Sequence, residues 1–228
     1  MNKKQISIII PIYNEEKTLE EVVQRTQKIF SQDNSDYEII LVNDGSKDDT
    51  HNILSKITDT NIQIIHHKKN QGKGKAIQSG LEKATGDYVA IQDADLEYDP
   101  QNLFKLIKIA IEKKSVVYGI RDGKNGYILN RLGNKILSLF CNILYTSELS
   151  DVYTCYKIIP RELMQSLQLT SNGFEIEAEI TAKILKKKIK IIEIPITYTP
   201  RSFAEGKHIK WQDGYKGILK LIEIKFFS

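Results

Sequence analysis

With 228 residues, 41% hydrophobic and 27% charged, the chain suits one compact domain with a sizeable core. A formal net charge of +4, spread along the chain with no dense basic run, argues against a nucleic-acid partner and suggests only mild attraction to anionic ligands or lipid headgroups. Cys141 and Cys155 lack paired spacing or accompanying histidines, so neither a zinc site nor a disulfide framework is expected, and a reducing cytoplasm is.

The first apolar stretch runs straight into Asn14, Glu15 and Glu16, the pattern of a strand and not of a signal peptide. Ile6 to Tyr13 predicts a strand buried on both faces, and Leu19, Val22, Val23 and Phe30 give helical spacing from Glu15 to Phe30. The alternation continues with a strand at Glu38 to Val42, a helix from about Asp48 to Ile57 and a strand at Ile62 to His66. A helix from about Gly74 to Ala84 and a strand at Tyr88 to Gln92 follow. Pro100 suits a helix's first turn, Leu103, Phe104, Ile107 and Ile111 supply its apolar face, and Val116 to Gly119 reads as a further strand. Strands alternating with helices predict an α/β fold with a mainly parallel sheet flanked by helices.

The second half changes character: a helix from about Ile128 to Tyr145, an irregular segment from Asp151 to Lys157, and a helix from Glu175 to Lys187. A strand at Ile189 to Tyr198 and a helix from about Trp211 complete it. No apolar run approaches the roughly 20 residues of a spanning helix, so membrane contact is expected to be peripheral.

In an open α/β sheet, ligands bind beyond the carboxyl ends of the strands. At the first such end, Pro11-Ile12-Tyr13-Asn14-Glu15-Glu16 stands where a dinucleotide-binding dehydrogenase would carry a glycine-rich turn. Its carboxylates would repel a pyrophosphate, so the turn suits a base or ribose better; the acids also suit a helix's first turn. At the second, Asp44 before Gly45 places a carboxylate to accept from a base N–H or a ribose hydroxyl, although Asp-Gly-Ser is also an ordinary turn. The third, Asn70-Gln71-Gly72-Lys73-Gly74-Lys75-Ala76, is a glycine-rich basic loop whose amides and lysine can meet an anion; it lacks P-loop spacing, which removes an ATPase reading. At the fourth, extended backbone puts Asp93, Asp95 and Glu97 on one face, and carboxylates without Cys or His point to Mg²⁺ or Mn²⁺.

Together and in this order, these segments resemble the GT-A glycosyltransferases of family 2, and within it the dolichyl-phosphate mannosyltransferase-like enzymes and their bacterial polyprenyl-phosphate relatives. The resemblance covers nearly the whole chain. It implies a single GT-A, Rossmann-like domain over 1-228, with a nucleotide-sugar-binding half at 1-119 and an acceptor-side half of helices and loop at 120-228. By the same resemblance Pro11, Tyr13 and Glu15 contact the nucleoside and Asp44 the base, while Asp93 and Asp95 form the metal-binding Asp-x-Asp; Lys75 is the lysine of the glycine-rich loop expected to meet the anionic donor. Glu97 occupies a place where lipid-phosphate enzymes often have Gln. Gly119-Ile120-Arg121 resembles the family's Gly-Ser-Arg turn, and Arg131 falls at the start of its interface helix. Asp151 opens a segment similar to Asp-x-x-Ser-Gly-Phe, departing from it at Thr154 and Cys155, and Arg201 and Lys207 match the basic residues of the acceptor loop.

From Leu129 through Leu132, Ile136, Leu139, Phe140 and Ile143, apolar residues recur at helical spacing, resembling an interfacial helix; the same pattern suits a helix packed on its own core. The apolar C-terminal stretch stands where many relatives continue into spanning helices, so reversible binding to the inner membrane face or a membrane-anchored partner is expected. The resemblance implies an inverting displacement that moves a hexose-type sugar to a polyprenyl phosphate. Such an acceptor is already an anion and needs no strong base; a hydroxyl on a cell-surface glycan would need one, with Asp151 as the candidate. A nonenzymatic binding module that retains the fold is a third expectation, opposed by the intact Asp93 and Asp95.

Overall fold

The computed structural model describes residues 5–32, 36–122, 128–201 and 211–227. Its first part alternates strictly: β1 (Ile6–Ile12), α1 (Leu19–Gln32), β2 (Tyr37–Asn43), α2 (Thr50–Ser55), β3 (Ile62–His66), α3 (Lys73–Lys83), β4 (Tyr88–Ile91), α4 (Pro100–Lys113) and β5 (Val116–Arg121). There follow α5 (Ile128–Tyr145), β6 (Lys157–Pro160), α6 (Arg161–Ser166), α7 (Ile176–Lys186), β7 (Ile191–Ile196) and α8 (Trp211–Phe227).

The strands form one sheet in the order β3-β2-β1-β4-β6-β5-β7. All pairings are parallel except those of β6, which runs against both β4 and β5. The apolar run of β1 is explained by this place: Ile8 and Ile9 are fully buried between two parallel neighbours, each contributing about 1.5–3 kcal/mol of apolar burial. The chain leaves β1 toward β2 and β3, then returns to the other side at β4, so a topological switch lies between β1 and β4.

Pro11 sits at that switch. Ile9 accepts from the Gln92 amide, the last link to β4, while Ile10 to Ile12 continue in register with β2 alone. A residue without an N–H is therefore tolerated where the two strands diverge.

One boundary differs from the sequence pattern. Helix α1 begins at Leu19 and not Glu15: a turn in which the Glu15 carbonyl accepts from the amides of Thr18 and Leu19 precedes it, with the amides of Glu15 and Glu16 donating to Thr50 and Asp48 of the neighbouring loop. The segment from Asp151 is irregular as expected up to its last residue, Lys157, where β6 begins; β6 and the α6 that follows are short runs with too little periodicity to announce themselves.

Helix α7 is buried nearly all round. Ile176, Ile180 and Ile184 join the main core, while Ala178 and Ala182 join a second cluster with Leu137 and Cys141 of α5 and Leu221 and Ile224 of α8. Among the described residues no helix is long and apolar enough to cross a membrane.

Candidate active site

A cavity of about 500 Å³ opens at the carboxyl ends of β1 and β4. Its lining includes Pro11, Tyr13, Glu15, Asp44, Asp93, Asp95, Glu97, Arg121 and Arg201, nine of the residues singled out in the sequence. Lys73, Tyr98, Tyr153, Cys155, Phe174, Glu177 and Tyr198 join them.

One wall is made by latching the turn after β1 onto the loop after β2. Asn14, at φ 55°, receives a hydrogen bond at its Oδ1 from the Lys47 amide and donates its own amide to Ser46 Oγ. Asp44 accepts from the amides of Gln71 and Gly72, which ties the glycine-rich loop to the same wall. Gly72 has φ 99°, and a Cβ there would lie 2.3 Å from the Asn172 carbonyl oxygen, so the loop passes beneath α7's approach only as glycine.

The loop delivers Lys73, and not the expected Lys75, to the cavity. Lys73 Nζ lies 2.7 Å from Asp93 Oδ1 and 3.1 Å from Glu177 Oε1. Burial works against its charge, but Asp93 and Glu177 beside it hold the ammonium well above the usual lysine range. Glu177 is bonded in turn to Lys157, which is fully buried and donates to the Thr154 carbonyl at 2.5 Å. An alternating ladder of charge thus runs from the core to the cavity: Lys157, Glu177, Lys73, Asp93.

Asp95 lies beside Asp93, and burial followed by the charges of Asp93 and Glu97 raises its pKa to about 8. Six acidic side chains line the cavity (Glu15, Asp44, Asp93, Asp95, Glu97, Glu177) against three basic ones (Lys73, Arg121, Arg201). The excess favours a hard cation and would repel a bare diphosphate. Among the described residues no three potential ligands form a preassembled metal cluster. Two carboxylates suffice for an ion of the Mg²⁺ type, which commonly completes its shell with water and substrate phosphate, so Asp93 and Asp95 fit such an ion. Glu97 is differently engaged: it accepts from the Tyr198 hydroxyl at 2.6 Å and the Arg201 amide at 2.7 Å.

The basic residues are each gripped by a carboxylate. Arg121 forms a two-pronged pair with Asp151, with Nε and Nη2 both at 2.7 Å from its oxygens, and lies over the Tyr198 ring. Asp151 itself does not line the cavity. Arg201 is held by Glu15 and lies 3.6 Å from Asp95. Arg131 is exposed on α5 and Lys75 stands on α3, neither of them in the lining; Lys207 lies outside the described residues.

The residues that sequence reasoning missed come mostly from the second half. Tyr98 packs between Tyr156 and Tyr198, its ring tilted against theirs at centroid distances of 4.8 and 5.1 Å. Glu177 left one signal, an acid within the buried surface of α7.

Away from the cavity, α5 has two apolar faces. Leu137 and Cys141 are buried, while Leu132, Ile136, Leu139 and Ile143 are 52–69% exposed. The neighbouring helix α8 exposes Tyr215, Leu219, Phe226 and Phe227.

The model of glycosyl transferase family 2 matches residues 7–167. An undecaprenyl-phosphate 4-deoxy-4-formamido-L-arabinose transferase from Sodalis glossinidius (strain morsitans) is 27% identical over 99% of this chain and 67% of its own length. Among solved structures, glucosyl-3-phosphoglycerate synthase from Mycobacterium tuberculosis with Mn²⁺, uridine diphosphate and phosphoglyceric acid superposes with a TM-score of 0.74 at 18% identity. That match covers 99% of this chain and 80% of the other. The same synthase with Mg²⁺ and uridine diphosphate gives 0.73 at 19% identity, with the same coverage. These structures share the fold, a mainly parallel sheet flanked by helices.

Proposed function

The chain belongs to glycosyl transferase family 2, and from that membership we propose that it transfers a hexose-type sugar from a nucleotide-sugar donor to a polyprenyl phosphate. The observation that carries this reading is the convergence of Asp93 and Asp95 with Glu15 and Asp44 on one side and Lys73, Arg121 and Arg201 on the other. The transferase activity named for the Sodalis relative supports the choice of acceptor.

In this reading the turn at Pro11, Tyr13 and Glu15 together with Asp44 receives the nucleoside. Asp93 and Asp95 hold Mg²⁺ or Mn²⁺, the ions bound in the mycobacterial synthase structures. When bound, that ion offsets the charge developing on the departing diphosphate. Lys73, Arg121 and Arg201 surround the phosphates with preorganised donors, and the rings of Tyr98 and Tyr198 keep that region dry. An acceptor phosphate oxygen attacks the anomeric carbon in line, the bond to the diphosphate breaks, and the configuration inverts. Transfer to a hydroxyl would need a base; Asp151 is committed to Arg121 with both oxygens, which supports an orienting role for it and favours the phosphate acceptor.

The exposed faces of α5 and α8, flanked by Arg131 and Lys135, support peripheral contact with an anionic membrane surface, in keeping with a lipid acceptor on the cytoplasmic side.

The test is to incubate the protein with Mn²⁺ or Mg²⁺, a short-chain polyprenyl phosphate and a panel of UDP- and GDP-sugars, reading diphosphate release and lipid-linked sugar together. Release that depends on both the lipid phosphate and Asp95 supports the proposal. Nucleotide binding without lipid product from any donor overturns it.

A further inference from the structure

Behind Asp44, on the side away from the cavity, lies a buried relay that the reading above leaves unused. His67 follows β3, and its side chain is only 8% exposed. Its Nδ1 lies 2.6 Å from Asp44 Oδ1, and its Nε2 lies 2.9 Å from the hydroxyl of Ser79 on α3. A carboxylate accepts only, so Nδ1 carries a proton toward Asp44, and Nε2 shares a hydrogen bond with the Ser79 hydroxyl. The imidazole is thus fixed from both ends, in the way an outer partner orients a ligand-binding group.

Asp44 has about four lone-pair directions. Its N–H donors are His67, Gln71 and Gly72, with the Gln71 amide straddling both oxygens at 2.9 and 3.0 Å and Gly72 at 2.7 Å from Oδ2. These three donors make four contacts, two to each oxygen, on a carboxylate that lines the cavity. The straddling amide is shared by both oxygens, whereas His67 holds Oδ1 alone and Gly72 holds Oδ2 alone. Neither His67 nor Ser79 lines the cavity, so neither is placed to touch a ligand directly.

We propose that His67, braced by Ser79, is a positioning residue for nucleoside recognition: by holding Oδ1 it fixes the rotation of the Asp44 carboxylate, which receives a ring N–H of the donor's base. This rests on the reading that Asp44 faces the nucleoside.

The experiment measures affinities of UDP, GDP and inorganic pyrophosphate by competition in the presence of Mn²⁺, for the unaltered protein and for His67→Ala, His67→Asn, His67→Gln, Ser79→Ala and Asp44→Asn. Asparagine places an N–H near the position of Nδ1 and glutamine near that of Nε2, so His67→Asn keeps the bond to Asp44 and His67→Gln loses it. The expected result is a loss of about tenfold in affinity for the preferred nucleotide in His67→Ala and His67→Gln, with His67→Asn close to the unaltered protein and Ser79→Ala in between. Pyrophosphate affinity stays unchanged throughout. If nucleotide and pyrophosphate weaken in parallel, His67 merely holds the glycine-rich loop, and the proposal is overturned. Equal behaviour of His67→Asn and His67→Gln overturns it as well. If Asp44→Asn leaves the nucleotide-to-pyrophosphate affinity ratio unchanged, the placement of Asp44 at the nucleoside fails, and the proposal fails with it.

Discussion

Arg201 and Glu15, 186 positions apart in the chain, are joined by two parallel hydrogen bonds of 2.9 and 2.8 Å that close one side of the cavity. The pair ties the turn after β1 to the segment that follows β7. It also holds a guanidinium beside Asp95, with carboxylates taking the place that phosphate oxygens would claim.

A planar fork can exchange one two-pronged partner for another, whereas an ammonium offers a single point of charge. Arg201→Lys is therefore expected to lose nearly as much kcat/KM as Arg201→Ala, on the order of 100-fold in both. Steady-state kinetics with the preferred donor check this, and full activity in Arg201→Lys would remove the fork from the mechanism.

Arg121 and Asp151 form a largely buried pair, with side-chain exposures of 13% and 8%. Removing one member leaves the other uncompensated, so Asp151→Asn should destabilise the fold by about 3 kcal/mol, read from urea unfolding. The double variant Arg121→Met, Asp151→Leu should recover most of that stability and none of the activity. Recovery of activity as well would mean that Arg121 has only a structural part.

Glu179 gives a pH dependence with a definite sign. Burial pushes its pKa up, but hydrogen bonds from Lys183, Ser171 and Thr170 outweigh this and leave it below the ordinary value of 4.5. Because the folded value is depressed, the contribution to stability is complete above pH 4.5 and fades as pH falls below it. Thermal unfolding of the unaltered protein and of Glu179→Gln should therefore converge as the solution is acidified. A gap that persists at low pH would contradict the assignment.

The membrane reading places Leu139 and Ile143 at the lipid surface. Replacing both with aspartate should lower partitioning onto anionic vesicles at least tenfold, given about 1.5–3 kcal/mol for burying each side chain. UDP or GDP binding should be unaffected. Unchanged sedimentation with vesicles would point to α5 covering something other than lipid.

The first half was readable because its chemistry sits next to its strands. Asp44 and Asp93 directly follow buried apolar runs, and β1 through β4 keep sequence order apart from the one switch, so period and position together located the cavity. Lys73 could not be told from Lys75, since a shift of two residues at the start of a helix turns a side chain by about 200° and no periodicity yet fixes its phase. Glu177, Tyr153 and Phe174 were hidden for another reason: they reach the cavity through α7 and the approach to β6, and the place of β6 between β4 and β5 is a long-range pairing with no local signal. The expected role of α5 was ambiguous in sequence because the helix carries apolar residues on both a buried and an exposed face.

The same insertion of β6 governs when the enzyme can exist during its synthesis. β1 to β4 can pair as they emerge, but β5 touches the sheet only through β6 and β7, both of which are made later. A nascent chain of which only β1 to β5 have emerged therefore has a four-stranded sheet with an open β4 edge and an Arg121 that has no Asp151 to hold it. The wall that carries Glu15 and Asp44 forms early and the one that carries Arg121 and Arg201 late, so the cavity is incomplete until most of the chain has been translated.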